Sequence, residues 1–98
     1  MKLTLKIDGK KKQFSMPAGM PAVRFKQAIR LAMEFEKNFS VELLDQIENF
    51  IANDLYGGKF TAEEYSMGME VDNYLEITMQ ILMSPVNRAK GQFEELKN

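Results

Sequence analysis

The sequence predicts a mainly α-helical α+β fold: an N-terminal β-hairpin followed by about four helices (two long, one short and one C-terminal) and a frayed tail. Three observations carry that expectation. The chain opens on alternating polar and apolar residues that run into Asp8-Gly9. Apolar residues then recur at three- and four-residue spacing through most of the remainder. Between Leu55 and Gly68 the stop signal of one helix is followed at once by the start signals of another. A chain of 98 residues suits one modest core. The expected division is a single domain over residues 1–85 and a flexible tail over 86–98.

Lys-Leu-Thr-Leu-Lys-Ile at residues 2–7 has the period of a half-buried strand, and Asp-Gly is a strong hairpin turn signal. Leu3, Leu5 and Ile7 share one face, whereas the second strand offers Phe14 and Met16 on even positions. Opposed residues share a face, so their numbers must sum to an odd value and the loop must be even. A sum of 17 sets Leu3 opposite Phe14; a sum of 19 sets Leu5 opposite Phe14. Lys10, Lys11 and Lys12 read as a solvated tip and a charged edge that discourages strand addition. A lone hairpin is marginal, so its apolar face must cover helices or join a sheet.

Pro21 can open a helix, and residues 21–37 contain no internal breaker. Phe25, Ile29, Ala32 and Met33 form its stripe, broadened by Leu31 and Phe35. Ser40 caps a second helix over 41–55, in which Leu43, Leu44, Ile47, Phe50, Ile51 and Leu55 follow helical spacing and Glu42, Asp45, Glu48 and Asn49 take the other side. Gly57 or Gly58 supplies the positive φ of a helix end. Thr61 as N-cap and Glu64 three residues on make a capping box, with Phe60 and Tyr65 placed as a hydrophobic staple. This short helix spans 62–67, with Gly68 as its terminator. Asp72 caps a last helix that Pro85 ends; Val71, Tyr74, Leu75, Thr78, Met79, Ile81 and Leu82 form its inner face. The corner motif is thus Gly57, Gly58, Phe60, Thr61, Glu64 and Gly68.

Composition removes most chemistries. Cysteine and histidine are both absent, which excludes disulfides, thiolate zinc sites, Ser-His and Cys-His nucleophile systems and HExxH motifs. Glu63-Glu64 and Glu94-Glu95 are adjacent carboxylates that diverge on a helix, and the first pair already serves a helix start. Gly57-Gly58-Lys59 lacks the spacing and strand-to-helix context of a phosphate loop. No catalytic residue, metal ligand or cofactor site is expected. No segment approaches the roughly 18 apolar residues of a membrane span, and the first residues alternate in polarity where a signal peptide would carry an apolar core. A soluble, cytoplasmic protein is expected.

The formal charge of −1 conceals two opposed halves. Through Arg30 there are six lysines and two arginines against Asp8 alone; from Leu31 to Pro85 there are eleven acids against Lys37 and Lys59. Such asymmetry steers partners or favours head-to-tail self-association, although like charges on a solvated face are the commoner reason. Helix, short turn and helix around Gly57 has the outline of a helix-turn-helix, but the second helix opens with Glu63 and Glu64, which phosphates would repel. A nucleic-acid module would have to use the hairpin lysines with Arg24, Lys26 and Arg30, the weaker reading. Eight methionines serve either as core filling or as an adaptable groove. Candidate partner contacts are Phe25, Ile29, Met33, Phe35, Met67, Met79 and Met83.

The order of these features is familiar. The Lys-Leu-Thr-Leu-Lys-Ile-Asp-Gly-Lys hairpin, a proline-led helix, an acidic amphipathic helix, Tyr56-Gly-Gly-Lys-Phe-Thr61 with Gly68, and a final helix together resemble the small tail assembly chaperones of long-tailed, siphovirus-type bacteriophages and prophages of Gram-positive bacteria. The resemblance covers about residues 1–83. It implies a non-enzymatic factor that binds the helical tape measure protein, keeps it soluble in the host cytoplasm and helps recruit tail tube protein, without remaining in the mature virion. It also implies, in many such genes, a longer frameshifted product; a homo-oligomer is expected. A generic self-assembling adaptor is the alternative.

Overall fold

The computed structural model describes residues 2–97. Strands β1 (Lys2–Ile7) and β2 (Lys10–Ser15) pair antiparallel, with Leu3 opposite Phe14 and Ile7 opposite Lys10. The smaller of the two allowed sums is therefore the register. Asp8 and Gly9 form the connection with φ of 52° and 77°, positive at both central positions as a type I′ turn requires. Leu3 and Leu5 are buried and Phe14 is half-buried, whereas the opposite face, Lys2, Thr4, Lys6, Lys11, Gln13 and Ser15, is exposed.

Helix α1 (Ala22–Lys37) begins one residue later than the sequence suggests: Pro21 is its N-cap, in extended conformation, and its carbonyl accepts from Arg24 N–H. The proline is used for its fixed φ just outside the helix. Helix α2 (Val41–Asn49) has the expected cap, Ser40 Oγ accepting from Leu43 N–H at 3.1 Å. The expected single helix over 41–55 is nevertheless divided. From Phe50–Leu55 the backbone widens into a π-helical turn. This extra width rotates the buried face, so that Phe50, Ile51, Ala52, Leu55 and Tyr56 all reach the core. An α-helical continuation would have turned Leu55 and Tyr56 further round the axis, away from the face that carries Leu43 and Ile47.

Gly57 and Gly58, with φ of 65° and 78°, end this segment together. Tyr56 N–H reaches Ile51 O, five residues back, at 3.0 Å and Gly58 N–H reaches Ala52 O, six residues back, at 2.8 Å, both wider than the four-residue α-helical bond. Helix α3 (Ala62–Met67) then starts on the full capping box, Glu64 N–H to Thr61 Oγ1 at 3.0 Å and Thr61 N–H to Glu64 Oε1 at 2.9 Å. Phe60 and Tyr65 stack with centroids 6.0 Å apart. Gly68 is the C-cap, but its φ of −89° is open to any residue. Its lack of a side chain is what matters: a Cβ would lie 2.7 Å from Glu64 O and 3.0 Å from Lys6 O. The space goes to a backbone bond, Lys6 N–H to Gly68 O at 3.0 Å, that ties β1 to the end of α3.

Helix α4 (Val71–Lys97) departs from expectation at both ends. It starts before Asp72, which lies in its first turn, and it does not stop at Pro85. Proline within a helix removes one bond and crowds the carbonyl four residues back, a cost of about 3 kcal/mol. Here Pro85 is buried beside Met20, Pro21 and Phe25, and α1 packs along α4, so tertiary contact offsets that cost. Arg88 further secures this part of the helix by donating to Ala18 O. Of the inner face read from sequence, Thr78, Ile81 and Leu82 are buried and Tyr74 and Met79 half-buried, while Val71 and Leu75, in the first turns of α4, are exposed. Asn98, the end of the expected tail, lies outside the described residues.

The core gathers Leu3 and Leu5 of the hairpin, Ala28 of α1, Leu43 and Ile47 of α2, the π turn, the aromatic corner, and Ile81 and Leu82 of α4. Each fully buried aliphatic side chain contributes about 1.5–3 kcal/mol before ordering costs. Two polar ties also hold the hairpin: Lys59 Nζ donates to Ser15 O at 3.0 Å, and Ser84 Oγ to Met16 Sδ at 3.9 Å.

Candidate functional site

The buried polar chemistry of this chain is structural. Around Phe60, Phe14 lies at 4.9 Å and Tyr56 at 5.1 Å between ring centroids, and Tyr65 passes the cluster on to Tyr74 at 6.1 Å. Tyr65 Oη and Thr78 Oγ1 share a hydrogen bond of 2.7 Å, joining α3 to α4 inside the core. Burial pushes the Tyr56 phenol up to about 12. Burial does the same to Tyr65, also to about 12, opposed by the Thr78 hydrogen bond and assisted by the charge of Glu48. Tyr74 is raised by burial and then by its donated bond to the Glu48 carboxylate, which favours the neutral phenol. These phenols are protonated at neutral pH.

Glu48 itself corrects the sequence reading, which set it on the solvated side of α2. It is buried, and the hydroxyl of Tyr74 from α4 is what its carboxylate meets there. Asp54, in the π turn, lies 3.8 Å from Arg24 on α1. Both side chains retain solvent contact, so this pair is worth less than about 1 kcal/mol. Among the described residues no group of three or more acidic, histidine or cysteine side chains could hold a metal ion, and no helix is long and apolar enough to cross a membrane.

What the surface does offer is apolar relief in two places. The first is a trough between the start of α1 and the second half of α4. Met20, Phe25, Pro85 and Ala89 line one part, about 250 Å³, and Phe25, Val86, Ala89 and Phe93 line its continuation, about 330 Å³. Phe25 and Ala89 belong to both parts. The second is a groove of about 300 Å³ between α2 and the start of α4, with Val41, Leu44, Met69 and Val71 as apolar walls and Asp45 and Glu48 beside them.

The candidate contacts read from sequence do not converge on one patch. Phe25 lies in the trough, and Ile29 is half-buried further along α1. Phe35 is half-buried and packs on Phe39 with centroids 5.4 Å apart, and Met79 and Met83 are half-buried along α4. Met33 and Met67 are exposed, on α1 and α3 respectively. Sequence reasoning missed Phe39, Val41, Val71, Phe93 and Leu96, all large apolar side chains that stand exposed. A signal existed for two of them: Val41 and Val71 are first residues of helices, where an inward-pointing stripe position can lie beyond the end of the neighbouring element.

The corner motif residues, by contrast, do come together. Gly57 and Gly58 turn the chain, Phe60 enters the core, Thr61 and Glu64 cap each other, and Gly68 meets β1. No curated protein and no solved structure matches the chain. A family model described as "Phage tail chaperone protein" matches residues 1–97, hairpin, corner and long last helix together. The chain therefore belongs to the phage tail chaperone protein family.

Proposed function

We propose that this phage tail chaperone is a non-enzymatic, homo-oligomeric factor that binds the helical tape measure protein of a long-tailed phage or prophage of a Gram-positive host. It acts in the host cytoplasm, keeps the tape measure soluble while tail tube protein assembles around it, and is absent from the mature virion. The observation that carries this reading is the family match over nearly the whole chain, joined to a surface whose features are apolar and helical. A long tape measure helix needs its apolar stripe covered until the tube encloses it. The trough centred on Phe25 and Ala89 runs beside α4, as a groove for a helix would.

Coexpression with the tape measure protein encoded by the same phage tests this. The tape measure should move to the soluble fraction and copurify. Ala89→Asp, which places a charge in the trough, should abolish copurification while leaving the circular dichroism spectrum unchanged. A tape measure that stays insoluble beside abundant wild-type chaperone would refute the proposal. Gene order is a second check: a tube protein gene upstream and a long coiled-coil-rich gene downstream are expected.

A further inference from the structure

Val41, Leu44, Asp45 and Glu48 recur along α2 at three- and four-residue steps, so all four lie on one stripe. That stripe is one wall of the groove against the start of α4, where Val71 and Tyr74 stand about one turn apart. Glu48 is the unusual member. It is only 6% exposed, yet it lines the groove. Among the described residues the donor that reaches its carboxylate is the Tyr74 hydroxyl, at Oε2, whereas the ion pair that forms is Arg24 with Asp54. A carboxylate taken out of water and met by a neutral hydroxyl recovers only part of the solvation it lost.

The surroundings supply no counter-charge. No lysine or arginine is among the lining residues, and Asp45 adds a second carboxylate to them. Between Lys37 and Arg88 the chain contains a single cation, Lys59, and that one is engaged with the hairpin at Ser15. The rest of the lining is largely apolar, with Leu44 and Met69 half-buried and Val41 and Val71 standing 69% and 86% exposed as rims. Exposed Leu75 extends the Val71 rim one turn along α4, beyond the cavity itself. An occupant that covers these rims is larger than a free small cation and brings apolar groups to both sides of its charge. The groove also lies at the opposite end of α4 from the Phe25 trough, so it is a separate contact.

We infer that this groove recognises one lysine or arginine carried between apolar residues on a partner helix. The cationic head seats against Glu48, which Tyr74 holds in place, and the flanking apolar side chains cover Val41, Val71 and Leu75. The ion pair is then complete only in the complex. A helix with a neutral apolar residue at that step seals Glu48 in without a counter-charge and binds more weakly, so the groove discriminates as well as attracts. Cover comes from the trough and choice of segment from the groove. This inference rests on the tape measure reading above and deepens it: Glu48 is the selecting residue, and a cation between apolar neighbours is what it selects.

Overlapping peptides of ~20 residues covering the tape measure protein of the same phage, titrated against the full chain by fluorescence anisotropy, test it. Peptides that bind should share a lysine or arginine with apolar residues three or four positions to either side. Replacing that cation by glutamine should weaken binding to the wild type at least about tenfold. The same peptide change should make no difference against Glu48→Gln, whose amide oxygen still accepts from Tyr74 in nearly the same shape. A Glu48 with a purely structural role would leave the two losses equal. Val71→Lys repeats the test at an exposed position and decides it should Glu48→Gln not fold: it brings an ammonium to the groove and should weaken the same peptides about tenfold, with an unchanged circular dichroism spectrum. Peptides that bind with no need of a cation overturn the inference, as do equal losses on wild type and Glu48→Gln, or Val71→Lys binding like wild type. A tape measure that copurifies equally with wild type and Glu48→Gln removes this inference alone; one that stays insoluble beside wild type removes the proposed function with it. If Glu48→Gln alters only the sedimentation of the chain by itself, the occupant is another copy and the inference falls.

Discussion

Gly68 and Thr61 hold the corner by different physics, and the difference is measurable. Thr61→Ala removes one cap bond and half of the reciprocal box, which should cost about 1 kcal/mol and lower the midpoint of urea unfolding accordingly. Gly68→Ala leaves φ undisturbed but drives a methyl group against Glu64 O and both backbone polar atoms of Lys6. Backbone cannot swing aside as a side chain can, so this variant should lose about 1–3 kcal/mol, more than the loss of the cap. The buried tyrosines give a third outcome. Tyr56 and Tyr65 hold their protons up to about pH 12 in the folded state against 10 when unfolded. The native state binds more protons across that interval, so the stability these phenols contribute is fully present below pH 10 and is lost as the pH rises towards 12. A denaturation midpoint that is flat from neutrality to the lower value and falls steeply above it is expected, and Tyr65→Phe should reduce the slope.

Among the elements, those set by local chemistry were legible in the sequence. The Asp8-Gly9 turn carried its own loop length, which selects the smaller register sum, and the α3 start was marked by Thr61, Glu64, Phe60 and Tyr65 at fixed offsets. The π turn was illegible because hydrogen bonds to the fifth residue back are chosen by packing, and the residues concerned, Phe-Ile-Ala-Asn-Asp-Leu, are equally good in an α-helix. Pro85 misled for a related reason: its intrinsic cost is local, whereas what offsets it comes from α1. The π turn makes a counterintuitive expectation. It absorbs one extra residue, so deleting exposed Asn53 should let an α-helix run through to Tyr56 with the downstream corner still in phase. Deleting exposed Gln46 should turn everything after it by ~100° and unfold the protein. Thermal melts of the two deletions distinguish these outcomes.

For the whole molecule, the opposed charge of the two halves could be read from composition, but which apolar positions stand exposed could not. An amphipathic stripe has the same spacing whether its cover is another part of the chain, as for Ile81 and Leu82, or lies outside it, as for Val71. Only the placement of neighbouring helices tells them apart, so sequence spacing alone does not mark Val41 and Val71 as exposed. The bond between Lys6 and Gly68 has one more consequence, in the order of synthesis. β1 and β2 leave the ribosome well before the atoms that hold their edges, Gly68 O and Lys59 Nζ, and before the helix that receives Met16. Contacts between such distant parts of a chain form slowly and late. The hairpin is therefore made well before it can be docked, and during that interval the Asp8-Gly9 turn and the β1–β2 ladder keep its two strands in step.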